Sequence, residues 1–501
     1  MNTMNRHLVN SMKNIQNKWI RWTSLLLVTA FCVGLITPAA SMAAPAHPQE
    51  TGSSSYLPML RNNVCRGMLP TSNPIGTQIY GNTGYGELHF QLLQNTRSSW
   101  IRNSISWADI EPVNMEEIHY NWAHSDARLQ AAKDNCANMI VTVDYTPEWA
   151  SIGGYRSPIR TEYLNEYADF IRALVERYDG DGTDDAPGGI VVNYWEFYNE
   201  PDFGPHEDGG GWGEYGARYA EMLAVVHPVV HAANPNAKVV FGGIAYNYFT
   251  TQGGLFIREF LDNVLAADGG KYFDIMNIHH YPFPNNRENW TESNSSGLVE
   301  KIADVKAKLE AHNLSKPLMV TEIGWHSDNN DLYPSSDDFQ GRHVVQLLTQ
   351  AVAGDAMAAI WWAFYDTDYP YKTGLTVPPN TRKDSYDVYR EAVTRIGTAN
   401  FVQPVLPPSV DNDLEIYEFT EAGTNKTFYI AWLNPIAPFN AEAVASFDDS
   451  TTQAWQASGE TATIYNKEGD SIGTVTDGED GSDDGKITVQ VGRNPIYIVI
   501  N

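Results

Sequence analysis

Tyr194-Trp-Glu-Phe-Tyr-Asn-Glu-Pro201 and Leu318-Met-Val-Thr-Glu-Ile-Gly-Trp325 each set a glutamate, Glu200 and Glu322, at the far end of a short apolar run. Such a run, bounded by turn residues, reads as a buried strand, and a polar residue at the carboxyl end of a buried parallel strand points into the active face of a barrel. Working outward from Val191 to Tyr198 and Leu318 to Glu322, six more runs share this texture: Ile75 to Tyr80, Trp100 to Ser106, Met139 to Tyr145, Lys238 to Ile244, Phe273 to His279 and Ala358 to Phe364. Amphipathic stretches separate them, such as Tyr163 to Tyr178 and Leu298 to His312. In the latter, Leu298, Ile302, Val305 and Leu309 share one face, and Lys301, Asp304, Lys308 and Glu310 take the others. Eight strand-helix units, each long enough for a right-handed crossover, predict an α/β chain with a (β/α)8 TIM barrel over residues 75–400. The alternative, an open doubly wound sheet, has only the loose glycine cluster Gly81-Asn-Thr-Gly-Tyr-Gly86 in its favour.

From residue 401 helical periodicity stops. Val405-Leu-Pro-Pro408 reads as a stiff linker, and short strands follow: Leu414 to Phe419, Thr427 to Leu433, Thr461 to Tyr465, Lys486 to Val491 and Pro495 to Ile500. They predict a C-terminal antiparallel β-sandwich over 401–501 that packs on the barrel. The segment 44–74 is expected to pack on the sandwich, lending a strand from residues 54–70. Residues 1–43 carry Arg6, Lys13, Lys18 and Arg21 and no acid, then the apolar run Leu25 to Ile36 and the small residues up to Ala43. This is the order of a secretory signal peptide, so the mature chain is expected outside the cell and free of the membrane.

Loss of that segment removes four positive charges and no negative ones, taking the net charge from -28 to about -32. Such a surface repels phosphate backbones and anionic lipids, which excludes nucleic acid as a partner and favours neutral ligands. Export leaves Cys65 and Cys136, either a disulfide or two unpaired structural thiols. Asp179-Gly-Asp-Gly-Thr-Asp-Asp185 alternates oxygen ligands as calcium loops do. Its twelfth position, however, is Ile190 where such loops carry a bidentate glutamate, so a solvated turn is expected and no metal.

Two carboxylates converging at the top of a barrel are the minimum equipment for breaking a glycosidic bond: one holds a proton for the departing oxygen, and the other, ionised, meets the charge developing at the sugar carbon. Further motifs surround them: Trp100-Ile-Arg102, Trp107-Ala-Asp-Ile-Glu-Pro112, Asp144-Tyr-Thr-Pro-Glu-Trp149, His279-His280-Tyr281 and Trp361-Trp362. With Asn199-Glu200-Pro201 and Thr321-Glu322-Ile323-Gly324-Trp325, they make residues 75–400 resemble clan A (β/α)8 retaining glycoside hydrolases, most closely family 39, with family 5 next.

The resemblance implies that Glu322 is the nucleophile, held ionised by Arg102 and Tyr281, and that Glu200 is the acid/base with a raised pKa. It implies that Asn199 reaches the sugar 2-hydroxyl and that His279 orients Glu200 or binds substrate. Trp149, Trp362, Trp325 and Trp212 lie at or beyond strand ends, where their faces could stack on sugar rings, Trp149 and Trp362 first. The expected protein is a secreted monomer that cleaves a β-linked, neutral oligosaccharide or polysaccharide without a cofactor. A transglycosylase on the same barrel and a non-catalytic glycan-binding surface protein are the alternatives.

Overall fold

The computed structural model describes residues 73–79, 86–115, 119–204, 211–330, 333–367 and 369–501. Residues 1–43, read as a signal peptide, nearly all of segment 44–74, Cys65 and residues 205–210 before Trp212 fall outside the described residues. Eight parallel strands, β1 (Ile75–Gln78), β2 (Trp100–Ser106), β3 (Asn138–Asp144), β4 (Tyr194–Phe197), β5 (Lys238–Val240), β6 (Met276–His280), β7 (Leu318–Ile323) and β8 (Ala356–Trp361), run in the order β5-β4-β3-β2-β1-β8-β7-β6. Between β5 and β6 no regular ladder forms; the ring is closed there by the bridges Val240 to Ile275 and Ile244 to Ile278 and by backbone bonds such as Phe241 N–H to the Ile275 carbonyl at 2.9 Å and His279 N–H to the Ile244 carbonyl at 2.8 Å. The barrel therefore closes at a seam that lacks a continuous hydrogen-bond ladder.

Strand side chains alternate, so inward positions stack in layers. The lowest is apolar: Trp100, Ile140, Val240, Ile275, Met319 and Ile360 pack as a plug. Two residues further along the same strands stand Arg102, Thr142, Asn277 and Thr321, with Glu196 on β4, all buried. Outward positions such as Ile101, Val143, Trp195, Phe197, Ile278 and Val320 join the helices in the main core.

The helix Leu298–Ala311 buries Leu298, Ile302, Val305 and Leu309, each burial contributing roughly 1.5–3 kcal/mol. Lys301 departs from expectation. It is fully buried rather than solvent-facing, because its long stem carries the ammonium to the carbonyls of Ala245 and, at 2.7 Å, His279.

After the short hairpin β9 (Thr376–Val377) and β10 (Thr381–Arg382) and the helix Asp384–Ile396, the tail forms β11 (Asn400–Leu406), β12 (Leu414–Thr420), β13 (Thr427–Leu433), β14 (Thr452–Ser458), β15 (Thr461–Tyr465), β16 (Ser471–Thr476), β17 (Lys486–Gly492) and β18 (Ile496–Ile500). A six-stranded antiparallel sheet, β11-β12-β13-β18-β15-β16, faces the pair β14-β17. Ile416, Ala431, Ile464 and Ile498 fill the space between these layers with Ala457, Ile487, Val489 and Val491. The other face of the large sheet, with Tyr417, Phe419, Phe428, Ile430 and Trp432, belongs to the barrel's core. Val405 and Leu406, expected in a linker, instead end β11. It is an edge strand, where Pro404 costs no ladder bond.

Polar contacts complete this junction. Arg342 forks onto Asp449 at 2.6 and 2.8 Å and donates to the Ile436 carbonyl, and Lys467 meets Asp338 at 2.8 Å. Cys136 is disulfide-bonded. The acidic turn ties up its own carboxylates: Asp185 accepts from the amides of Gly180 and Gly182, Asp179 from that of Asp181, and Asp181 from that of Thr183. Among the described residues no helix is long and apolar enough to cross a membrane.

Candidate active site

Arg102, central in β2 and pointing inward, organises the floor of the site. Its Nε and Nη2 grip Glu196 at 2.8 and 2.9 Å, Nη1 donates to Gln78 at 2.9 Å and to Glu322 at 2.6 Å, and Nη2 reaches Asn199 Oδ1 at 2.7 Å. Burial alone would discharge the guanidinium, but the Glu196 and Glu322 carboxylates hold it charged, above its ordinary value. Glu196 also accepts from Thr142 at 2.9 Å and from the Gly243 amide at 3.0 Å. Burial raises its pKa, but Arg102, with His279 and the Gly243 amide, brings it below its ordinary value.

Glu322 sits where the β7 ladder is irregular on both sides, between Ile278 and His279 opposite and between Val320 and Ile323 in its pairing with β8. The irregularity re-aims the strand, so Thr321 and Glu322 both serve the barrel interior. One Glu322 oxygen takes the Arg102 bond; the other accepts from Tyr281 Oη at 2.7 Å. Burial and the Glu322 charge push the Tyr281 hydroxyl well above its ordinary value, so it remains a proton donor.

Glu200 follows β4 with a left-handed backbone, φ 48°, and its amide donates to the Gly243 carbonyl at 3.0 Å. One of its oxygens lies 3.2 Å from His279 Nδ1, which is 3.7 Å from a Glu322 oxygen; oxygens of the two glutamates approach within 4.8 Å. His279 Nε2 is 3.1 Å from Thr321 Oγ1. Nδ1–H donates to Glu200, and Nε2 meets the Thr321 hydroxyl, which can serve as either donor or acceptor. Gly243 makes room for this ring, since a Cβ there would come within 2.1 Å of Nε2. Burial raises Glu200, but the His279 bond and the charges of His279, Arg156 and Arg102 bring it below its ordinary value. This reverses the raised pKa expected of it, because the expectation weighed Glu322 and aromatic walls but no neighbouring cations.

Above the carboxylates, half-buried Trp362, linked by a cis peptide to Ala363, stands edge-on to Tyr281 at 6.2 Å and to Tyr369 at 5.0 Å. Trp149 is half-buried, with its indole N–H on the Glu111 carbonyl and its ring edge-on to Trp107 and Tyr163. Trp212 and Trp325 are corrected: each is only 1% exposed. Trp212 lies edge-on between Tyr198 and Tyr219, and Trp325 stacks on His343 at 4.4 Å, so both are walls of the core rather than open platforms.

Sequence reasoning missed Glu196, Gln78, Thr321 and Tyr369. Glu196 had a signal, since an inward acid inside an apolar strand demands a buried cation, and Arg102 stands at the matching level of β2. Tyr369, on the loop after β8, is 38% exposed, yet desolvation of its hydroxyl and the charges of Glu200 and Glu322 push that group above its ordinary value. Its loop position carries no periodicity to find it by.

No protein-family model matches the chain, and no curated protein matches it. Solved structures do. A family 39 glycoside hydrolase from the gut symbiont Bacteroides cellulosilyticus superposes with a TM-score of 0.64 at 18% identity, over 87% of this chain and 82% of that one. A family 39 β-xylosidase from Caulobacter crescentus gives 0.55 at 14% identity, over 87% and 97%. A family 30 endoxylanase from Clostridium papyrosolvens gives 0.54 at 15%, over 86% and 96%. The chain shares their fold. At its centre this fold holds two carboxylates within 4.8 Å, one clamped by a guanidinium and a phenol, the other against an imidazole. That arrangement can attack a carbon with one oxygen while handing a proton to a neighbouring atom with the other.

Proposed function

We propose that this protein is an exported retaining glycosidase that hydrolyses a β-linked, neutral glycan, with Glu322 as nucleophile and Glu200 as acid and then base. The observation that carries the reading is the approach of Glu200 and Glu322 to within 4.8 Å. Retaining pairs are about 5–5.5 Å apart, and inverting pairs, which must admit a water, about 6.5–9.5 Å. Glu322 attacks the anomeric carbon as the Glu200 proton passes to the departing oxygen. Glu200, now ionised, takes a proton from water, whose oxygen displaces Glu322 and frees a sugar of unchanged configuration.

The unequal surroundings fit these roles. Two donors stabilise negative charge on Glu322. Glu200 has a single ring contact and a backbone in a sparsely populated conformation, a form of strain found at functional sites. A sugar that fills the cleft displaces water from Glu200, which strengthens the burial effect and moves the group toward its protonated form. Asn199 offers its amide N–H groups to the 2-hydroxyl while its oxygen is held by Arg102. Trp362 and Tyr369 supply the aromatic wall, and Trp149 a more distant one. The acidic surface and the names of the xylan-directed neighbours support a neutral substrate, and residues 1–43 support export.

Azide distinguishes the two glutamates. With an aryl glycoside, Glu200→Ala still forms the glycosyl-enzyme, and azide enters the vacated space to give a glycosyl azide of retained configuration. Glu322→Ala gives the inverted azide. Interchanged configurations mean that the roles are exchanged, and an inverted product from the unaltered enzyme rejects the double displacement.

A further inference from the structure

At the opposite, amino-terminal end of the strands, His227 and His231 stand one turn apart on the helix Gly216–Ala233 and face Asp274, just before β6. His231 Nε2 is 3.0 Å from Asp274 Oδ2, His227 Nε2 is 3.7 Å from Oδ1, and the three ligand atoms lie within 4.8 Å of one another. The first distance is a hydrogen bond; the second is too long to be one. A tetrahedral site with bonds of about 2.0–2.1 Å sets ligand atoms about 3.3 Å apart, so one oxygen of Asp274, turned slightly, and the two imidazoles come within reach of one small ion.

We propose that His227, His231 and Asp274 form a binding site for a divalent transition ion of the zinc class, a staple across the barrel seam. The donor chemistry selects the ion, because two imidazoles and one carboxylate suit zinc and its neighbours and not calcium, which takes six or more oxygens. Asp274 is oriented from behind: the Val239 amide donates to its Oδ2 at 2.7 Å, leaving Oδ1 turned toward His227. The side chains are about one-quarter exposed, which leaves an entry path and a fourth position for water. The last turns of a helix favour positive charge. Lys316 opposes the ion through its own charge near Asp274, although its ammonium is engaged by the Phe273 carbonyl.

The position gives the site a role. Val239 belongs to β5 and Asp274 precedes β6, two strands joined by bridges and a few backbone bonds rather than by a regular ladder. An ion here ties the helix Gly216–Ala233 to both sides of that seam. The face is remote from Glu200 and Glu322, and residues at the amino-terminal end of barrel strands serve stability rather than chemistry.

Zinc chloride is titrated calorimetrically into the tag-free, chelator-stripped protein at neutral pH, and the thermal midpoint is followed with zinc and, separately, with calcium. The active-site trio also offers zinc ligands, so the titration is run in a Glu322→Gln background as well. The expected result is one zinc per chain that persists in this background, raises the midpoint and is removed by a chelator. His227→Gln, which keeps the Asp274 bonds to His231 and Val239, should weaken that zinc by about tenfold or more and abolish the rise, whereas calcium changes nothing. No zinc bound in the Glu322→Gln background, or equal binding by the His227→Gln and His231→Gln variants, overturns the proposal.

Discussion

Glu196 and Glu415 are both fully buried glutamates, and they are treated in opposite ways. Glu196, under the active site, is gripped by Arg102, and its pKa is held below its ordinary value despite its burial. Glu415, where the sandwich meets the barrel, has four neutral donors, Ser295, Gln350, Tyr417 and Asn434, and burial prevails, so its pKa is raised. A buried acid without a cation serves well enough to tie two layers together. In the proposed mechanism Glu322 acts as an anion, which a fixed cation beneath it favours, and Glu196 keeps that cation in place.

Removing Glu196 is the harshest test. Glu196→Ala leaves Arg102 buried with only Glu322 and should cost about 3–5 kcal/mol of stability, measured by denaturant unfolding, together with most of the activity. Near-normal turnover would break the link between floor and site. Glu415→Gln should cost about 1–3 kcal/mol, since an amide cannot accept from all four donors, and should leave kcat unchanged. The two costs should also move oppositely with pH. The contribution of Glu196 is full above the ordinary carboxylate range and is lost as pH falls through its lowered folded value. That of Glu415 is full below the range and is lost as pH rises through its raised one. Parallel trends in the unfolding data would remove the distinction.

A smaller effect belongs to His279→Leu. The proposed general acid works protonated, so activity falls as pH rises through its pKa, and losing the imidazole that lowers Glu200 should move the alkaline limb of kcat/KM upward. A limb that stays in place excludes His279 as the cause. Smallest is Asp449→Asn: this carboxylate, half exposed at the same junction as Glu415, should contribute less than about 1 kcal/mol in thermal unfolding.

The barrel was legible because its strands are buried on both faces and read as continuous apolar runs; Trp100–Ser106 matches its expected span to the residue. The glutamates were legible because they end such runs. In the sandwich, β12, β13 and β15 showed alternation, whereas β11, β14 and β16 did not: only Ala457 of β14 is buried, and no residue of β11 or β16 is. Lys301 and Trp212 failed for a shared reason. Helical or strand position predicts direction, but the reach of a lysine and the enclosure of an indole depend on neighbours distant in sequence.

The tail's large sheet is covered on both broad faces along its central strands, with aliphatic residues toward β14 and β17 and aromatic ones toward the barrel. It cannot be handled as a detachable accessory. A chain cut at residue 400 would present to water the barrel surface that Tyr417, Phe419 and Trp432 now cover, and the severed tail would carry those rings as an adhesive patch. Anyone trimming this protein to its catalytic half should find the sandwich indispensable to obtaining it in solution, and swapping tails between relatives would mean transplanting a surface of the barrel along with them.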